Sequence, residues 1–452
     1  MANATEATLT AVPVDVALGR PTRTRYFMLA LVLIATVINY IDRVNISVVA
    51  PFMTRELGID KISMGFIFSA FAWTYAFALI PGGYIADRFG SRVGYAGSLA
   101  CWSVATMLQG LSSGFASLFG FRLAVGAMEA PAFPANARAV TMWFPERERG
   151  LATSVYVMGQ YIGTAMFSGL LLWMAVALGW RTVFLATGGL GVAFSVVWYL
   201  LYRDPLQSKR ANQAEIAYIQ QGGGIVSNKK HSNFNLRTIG QLLKYRQIWA
   251  ICIGKFASSS ALYFFLTWFP TYLIEERHME ILKAGIFTTM PYLGATVGIL
   301  GAGWISDAMI RRGVSLSFAR KTPLVVGSLL GTTIVLVNFV TSDVACIAIL
   351  TGAFFAQGIS ATSWAAVSEV APVQYIGLTS GITSLGANLA GIVTPIVIGY
   401  IVHVTGSFSW ALNFVGMLAL MGALSYSVLL GRLHRIVMDD ETPRRGLQAA
   451  AT

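Results

Sequence analysis

The sequence predicts an all-α membrane protein: twelve transmembrane helices in two pseudo-symmetric six-helix bundles. Three observations carry that expectation. The composition is too apolar for a soluble globule, the apolar runs number twelve, and one charged motif occurs twice. Of 452 residues, 56% are hydrophobic and 12% are charged, against ~25% charged in an average soluble protein. A helical span consumes about 20 apolar residues, and this chain has enough for about twelve. Composition thus excludes a soluble enzyme, a disordered chain and a disulfide-rich secreted domain. The apolar runs are continuous rather than alternating, which excludes a porin-type barrel.

In chain order the runs place spans at 25–53, 62–86, 93–112, 115–141, 150–178 and 181–202, then at 247–274, 282–305, 322–341, 344–368, 376–403 and 408–430. Residues 1–24 and 431–452 read as cytoplasmic tails, and 25–202 and 247–430 as the two bundles. Between them, 203–246 is polar, carries Lys209, Arg210, Lys229, Lys230, Arg237, Lys244 and Arg246 and a glycine triplet at 222–224, and reads as a cytoplasmic linker. The first 25 residues lack the apolar core of a signal peptide, so the first span is expected to direct insertion.

Basic residues orient the chain. With the N-terminus inside, 23 of them fall in inside segments and five in outside loops. The positive-inside rule then puts both termini in the cytoplasm. The net charge of +12 is assigned to topology and anionic lipid headgroups rather than to nucleic acid. Cys101, Cys252 and Cys346 lie scattered inside apolar segments, and the four histidines are far apart, so neither a disulfide framework nor a metal site is expected.

The repeat supports two halves. Gly83-Tyr-Ile-Ala-Asp87-Arg88-Phe-Gly90-Ser-Arg92 follows the second span, and Gly303-Trp-Ile-Ser-Asp307-Ala-Met-Ile-Arg311-Arg312-Gly313 follows the eighth. In each copy small residues let helices approach, and Asp and Arg can latch the cytoplasmic face.

This arrangement resembles the major facilitator superfamily, whose cytoplasmic signature is Gly-x-x-x-Asp-Arg-x-Gly-x-Arg. The first copy matches it well and the second is degenerate. Asn39-Tyr40-Ile-Asp42-Arg43-Val-Asn45, Phe68-Ser-Ala-Phe-Ala-Trp73-Thr-Tyr75, Arg122-Leu-Ala-Val-Gly126-Ala-Met-Glu129-Ala-Pro-Ala-Phe-Pro134, Phe264-Phe-Leu-Thr-Trp268-Phe-Pro270 and Arg320-Lys-Thr-Pro323 resemble its anion:cation symporter branch. Within that branch the chain is most similar to bacterial galactonate and glucarate/galactarate proton symporters. The resemblance covers nearly the whole chain.

Five charges stand inside apolar spans: Asp42, Arg43, Arg122, Glu129 and Lys255. Each costs ~2.5–3.5 kcal/mol on insertion scales, more than helix packing requires. Asp42 and Arg43 are adjacent, so they project about 100° apart. Asn39, Tyr40 and Arg43 form one stripe. Arg122 and Glu129 are two turns apart on one face, about 10 Å in rise, so they address one cavity without pairing. A guanidinium fork suits a carboxylate substrate. An anion entering against the membrane potential meets about 2.3 kcal/mol per charge per 100 mV, which co-transported protons offset.

The resemblance implies roles. Asp42 and Glu129 become proton sites, with Arg43 and Arg122 engaged in substrate binding and coupling. Tyr40, Tyr75, Gln160, Ser363 and Trp364 match positions of the family's binding site. Ser384 stands where the galactonate and glucarate relatives tend to have Asn, with Asn388 one turn on. Near Ser259 the arginine of the vesicular glutamate branch is missing, which argues against glutamate. Lys255 replaces the Gln of the apparent relatives. It either snorkels to the interface or adds a cation to the second half, which would suit a substrate with two carboxylates. Gly159, Gly163, Gly381, Gly386, Gly391 and Gly399 are expected at close helix contacts.

No Walker loop, nucleophile elbow or metal-ligand cluster is present in the sequence, so no enzyme and no cofactor are expected. The expected function is a proton symporter that imports an organic anion by alternating access across a bacterial inner membrane. The substrate would be a sugar acid, either a hexonate or a hexarate, and the working unit a monomer. Within transport the alternative is another organic anion, such as a hexuronate or a dicarboxylate. Outside it, the alternatives are a membrane-embedded enzyme, a channel or a sensor.

Overall fold

A computed structural model describes residues 20–224, 236–372 and 375–436. The elements are α1 (Thr24–Leu57), α2 (Lys61–Gln109), α3 (Phe115–Glu129), α4 (Ala132–Trp143), α5 (Glu146–Leu178), α6 (Trp180–Leu201), α7 (Gln213–Gln221), α8 (Leu236–Leu242), α9 (Arg246–Thr267), α10 (Phe269–Thr271), α11 (Ile281–Arg311), α12 (Leu316–Gly331), α13 (Asp343–Ser360), α14 (Ser363–Val370), α15 (Ile376–Thr405) and α16 (Ser409–Leu424). A 3-10 stretch at Thr332–Phe339 prolongs α12, and π turns at Tyr272–Glu276 and Ser425–Leu429 follow α10 and α16.

Among the described residues, ten helical segments are long and apolar enough to cross a membrane. The difference from twelve lies in how two passes are built. α2 is 49 residues long and carries two passes, bent where Gly90 takes φ 71° and ψ 166°. Glycine alone adopts that conformation cheaply, so the loop expected between 86 and 93 shrinks to a kink. The pass at 115–141, expected as one helix, is interrupted at Ala130–Pro131 between α3 and α4. Pro131 has no N–H to give to the helical ladder. The pass expected at 344–368 breaks likewise at Ala361–Thr362, between α13 and α14.

Large apolar side chains cover the outside. Trp304, Phe339, Val344 and Met166 are each about 70% exposed or more, a surface matched to hydrocarbon rather than water. Inside, helices meet through glycine. A Cβ on Gly163 would stand 2.9 Å from Val37 O, and one on Gly386 2.3 Å from Cys252 O. Gly159, Gly391 and Gly399 are equally confined, whereas Gly381 faces open space and is not a packing residue. Cys101, expected inside, is exposed on the helix surface.

The two halves meet at mid-depth and toward one end of the helices. There a Cβ on Gly65 would stand 2.7 Å from Pro395 O, the Thr289 hydroxyl donates to Ala165 O at 2.8 Å, and the Phe68 and Trp268 rings meet edge-on at 5.1 Å. Lys61 bonds Glu275 across the seam. Among the described residues, the polar and ring contacts between halves avoid the end that carries segment 203–246. These contacts, among the described residues, clasp the halves at the end away from segment 203–246.

The front of that segment is pinned rather than free. Glu215 on α7 is fully buried, and its carboxylate accepts from the Thr24 and Arg25 backbone N–H groups, each at 3.1 Å. It thereby satisfies orphan donors at the start of α1, where negative charge is favoured. Arg25 also pairs with it at 3.3 Å, and Arg149 donates to Gly223 O at 2.6 Å. Lys229 and Lys230 lie outside the described residues.

Candidate functional site: a buried charge cluster in the first half

The site starts halfway along α1. Asp42 and Arg43 diverge, as helix geometry requires. Asp42 Oδ2 accepts from Trp102 Nε1 of α2 at 3.0 Å. Arg43 reaches the end of α3, where its Nε donates to Glu129 Oε1 at 2.7 Å and its Nη2 completes the ion pair. Arg122 leaves Glu129 alone, as its position two turns earlier predicts. Its Nη1 and Nη2 instead donate to the backbone carbonyls of Asp42 at 3.2 Å and Arg43 at 3.1 Å.

Two carboxylates and two guanidinium groups thus form one knot in the first half. Asp42 and Glu129 are fully buried and Arg122 is 4% exposed. Aromatic faces surround the cations: Arg43 lies 4.8 Å from the Tyr40 ring centroid, 4.6 Å from Phe71 and 5.0 Å from Tyr75. Arg122 stacks on Phe71 from 5.2 Å. Glu129 Oε2 and Asp42 Oδ1 are buried without a hydrogen-bond partner among the described residues. Buried acceptors left this way are costly.

Local sequence explains the geometry. Gly126 lets α3 ride against α2, since a Cβ there would stand 2.2 Å from Phe71 O. Three residues later Glu129 is the last residue of α3, at the break beside Pro131. In the second half Ser363 opens α14 just past the matching break. Carriers built from repeats place their ligands at such discontinuous helices.

The second-half candidates are mostly neutral. Lys255 is 4% exposed and its Nζ donates to Thr383 Oγ1 at 3.3 Å, so it does not snorkel to the interface. Asn388 and Ser363 are buried, and the Ser384 hydroxyl turns back to Ser380 O at 2.7 Å. Gln160 stands half-buried on α5, outside the hydrogen bonds of the knot. The side chain of Trp364 lies outside the described ones.

Among the described residues, the hydrogen bonds of the gate-motif arginines stay within the first half. Arg92 Nε donates to Tyr199 O at 2.9 Å and Arg88 Nη1 to the Tyr84 hydroxyl at 3.1 Å, both within the first half. Arg311 is exposed, Gly83 and Gly90 are half-buried, and the side chains of Asp87 and Asp307 lie outside the described ones.

Sequence reasoning missed Trp102, Tyr263 and the close-approach role of Gly126. Tyr263, on α9, stands in the electrostatic field of Arg43, Glu129 and Arg122, and so brings the second half to the knot. Its signal was available as the polar series Lys255, Ser259 and Tyr263, spaced by four. No sequence signal pairs Trp102 with Asp42. Among the described residues no group of three His, Cys, Asp or Glu is placed to hold a metal.

A multi-pass helical chain of two clasped halves, with a charge cluster buried in the first, has the build of a carrier. The family model of the Major Facilitator Superfamily matches residues 32–383, and the chain belongs to that superfamily. It is a transporter, not an enzyme. It is 43% identical over 430 residues to a D-galactonate transporter of Escherichia coli O6:H1, covering 94% of this chain and 99% of that one. It is 40% identical over 435 residues to a probable galactarate/D-glucarate transporter of Bacillus subtilis, covering 94% and 95%. The fold also matches the crystal structure of a bacterial homologue of the human lysosomal transporter Spinster in an inward-facing, unoccupied conformation. That match has a TM-score of 0.67 at 19% identity, covering 91% of this chain and 95% of that one.

Proposed function

We propose that the chain is a proton-coupled symporter that imports a sugar acid, a hexonate or hexarate, across a bacterial inner membrane. The Arg43–Glu129 pair carries this reading. While Glu129 is ionised, it occupies the guanidinium fork. A proton on Glu129 releases Arg43 to a substrate carboxylate, so proton and anion enter the same site together and neither is favoured alone. Asp42 is the second proton site, held by Trp102 and coupled to the knot through Arg122, which bonds the backbone of residues 42 and 43. Tyr40, Tyr75, Gln160, Ser363, Trp364, Ser384 and Asn388 supply aromatic faces and neutral hydrogen bonds for the polyol.

In this reading both termini and segment 203–246 face the cytoplasm, 25–202 and 247–430 rock as two bundles, and the clasped end of the seam is the outer one. Asp87, Arg88 and Arg92, with Asp307 and Arg311, latch the cytoplasmic end in the opposite state. The protein works as a monomer among anionic lipids, without a cofactor. The names of its relatives support the substrate class.

The test is uptake by the purified protein in liposomes. An acidic exterior should drive accumulation of labelled galactonate or galactarate, and trapped unlabelled substrate should accelerate entry, as a carrier requires and a channel does not. Accumulation indifferent to the pH gradient would overturn proton coupling.

A further inference from the structure

We propose that Trp102 and Thr187 are positioning residues that set the pH at which Asp42 takes up and releases its proton. They act from behind α1, out of reach of the substrate. The proposal rests on Asp42 being a proton site, as read above, and goes beyond it. Arg43 leaves α1 toward Glu129 and the Tyr40 and Tyr75 rings, and Asp42 leaves it toward α2 and α6. There Trp102 Nε1 of α2 donates to Asp42 Oδ2 at 3.0 Å. On α6 the Thr187 hydroxyl accepts from Asn45 Nδ2 at 3.0 Å, which leaves its own hydrogen to give. The same hydroxyl stands beside the Asp42 carboxyl, whose Oδ1 lacks a hydrogen bond among the described residues. Asp42, Asn45 and Trp102 are fully buried and Thr187 is 5% exposed, so this cradle can hold a proton but not a sugar acid.

Glycine brings the two donors together. A Cβ on Gly188 would stand 2.5 Å from Ser103 O, so α6 presses on α2 one residue from Thr187 and one from Trp102. The Tyr95 ring backs the indole edge-on at 5.9 Å. The charged groups facing Asp42 are Arg122 and Glu129 of α3 and, beside it on α1, Arg43. Among the described residues, α2 and α6 face it with the neutral Trp102 and Thr187. A donor aimed at a carboxylate favours the ionised form. These two donors belong to α2 and α6, so their grip depends on where α1 lies against those helices. A displacement that lengthens the contacts favours the protonated acid, and one that restores them favours release.

The experiment measures initial uptake of labelled galactonate or galactarate by the full-length protein in liposomes, over a series of external pH values. The alkaline limb of the profile should move to higher pH, by about one unit in Trp102→Phe and about half a unit in the isosteric Thr187→Val. Thr187→Ser, which keeps the hydroxyl, and Tyr95→Phe, which alters the same aromatic cluster without touching Asp42, should keep the wild-type profile. In the Asp42→Asn background, followed by counterflow exchange, Trp102→Phe should move nothing. Slower uptake with an unmoved profile in Trp102→Phe means that the indole only packs, and overturns the proposal. An equal shift in Tyr95→Phe, or a shift that persists in Asp42→Asn, overturns it too. If Trp102→Phe does not fold, Thr187→Val against Thr187→Ser decides alone. Asp42→Asn that accumulates substrate with the wild-type profile would instead remove the proton-site reading itself.

Discussion

The two halves hold their helices alike and their charges differently. In the first, Gly126 lets α3 approach α2, and in the second Gly358 lets α13 approach α11. A Cβ on either would stand 2.2 Å from a backbone oxygen, Phe71 O or Ala295 O. Each of these passes then breaks a few residues on, at Ala130–Pro131 and at Ala361–Thr362. On this shared frame the first half gathers Asp42, Arg43, Arg122 and Glu129 into one buried knot, whereas the second presents hydroxyls, an amide and Lys255. Duplication supplied the frame twice, and the charges diverged. In the proposed reading, proton coupling belongs to the first half, which also clamps a substrate carboxylate through Arg43, and the second half adds neutral groups for recognition.

The sharpest way to break this division is at Glu129. Glu129→Gln keeps the shape but takes away the charge that occupies Arg43. Uphill accumulation driven by a pH gradient should vanish while counterflow exchange survives, and Asp42→Asn should impair accumulation in the same sense. Glu129→Ala, which abandons a buried guanidinium, should destabilise the protein by about 3–5 kcal/mol, read by denaturation in detergent. Normal accumulation in the Gln and Asn variants would remove the coupling role from the first half.

The shared frame has its own test. Gly126→Ala and Gly358→Ala each insert a methyl where backbone already stands, and overpacking of this kind costs about 1–3 kcal/mol. Both variants should lower the unfolding temperature by similar amounts. A loss confined to one half would mean that the frames are not equivalent.

These comparisons also show what the sequence could express. Span positions, the duplicated motif and the divergence of Asp42 from Arg43 follow from hydropathy and from 3.6-residue periodicity, which are local properties. The failure of Arg122 to pair with Glu129 was legible too, because seven residues fix a rise. The Arg43–Glu129 bond was not, since it joins residues 86 apart and depends on how closely α3 approaches α1. Trp102 was hidden for the same reason. The helix breaks at 130–131 and 361–362 escaped notice because hydropathy runs through them unchanged, and only Pro131 marks the first. Gly381 shows the reverse error: its sequence context matches that of Gly386, yet it faces open space, since exposure depends on the neighbouring helix.

A smaller effect should sharpen the recognition side. Asn388 is buried on α15 within the second half's neutral set. Asn388→Ala should weaken sugar-acid binding by about 1 kcal/mol, the net value of one hydrogen bond, or roughly five- to tenfold. The pH dependence of transport should stay as in the wild type, because no titrating group is touched. An altered proton dependence in this variant would carry coupling into the second half.

The smallest expected effect compares two helix caps. Asp60 caps α2 in the first half, its Oδ1 accepting from Ser63 N at 2.7 Å. Ser342 caps α13 in the second, accepting from Ala345 N at 3.5 Å. Replacing either with Ala should cost at most about 1 kcal/mol, since caps contribute ~0.5–2 and both are exposed to screening. Only one should depend on pH. The Ser63 hydrogen bonds hold the Asp60 carboxyl below its ordinary range, so the native state favours the ionised form. That contribution is present above the unfolded value of about 3.9 and is lost as pH falls through the lower folded value. Melts at pH 7 and pH 3 should therefore show the cost of Asp60→Ala shrinking in acid, while that of Ser342→Ala stays constant. Equal behaviour of the two would mean that the charge at position 60 does not act through the cap.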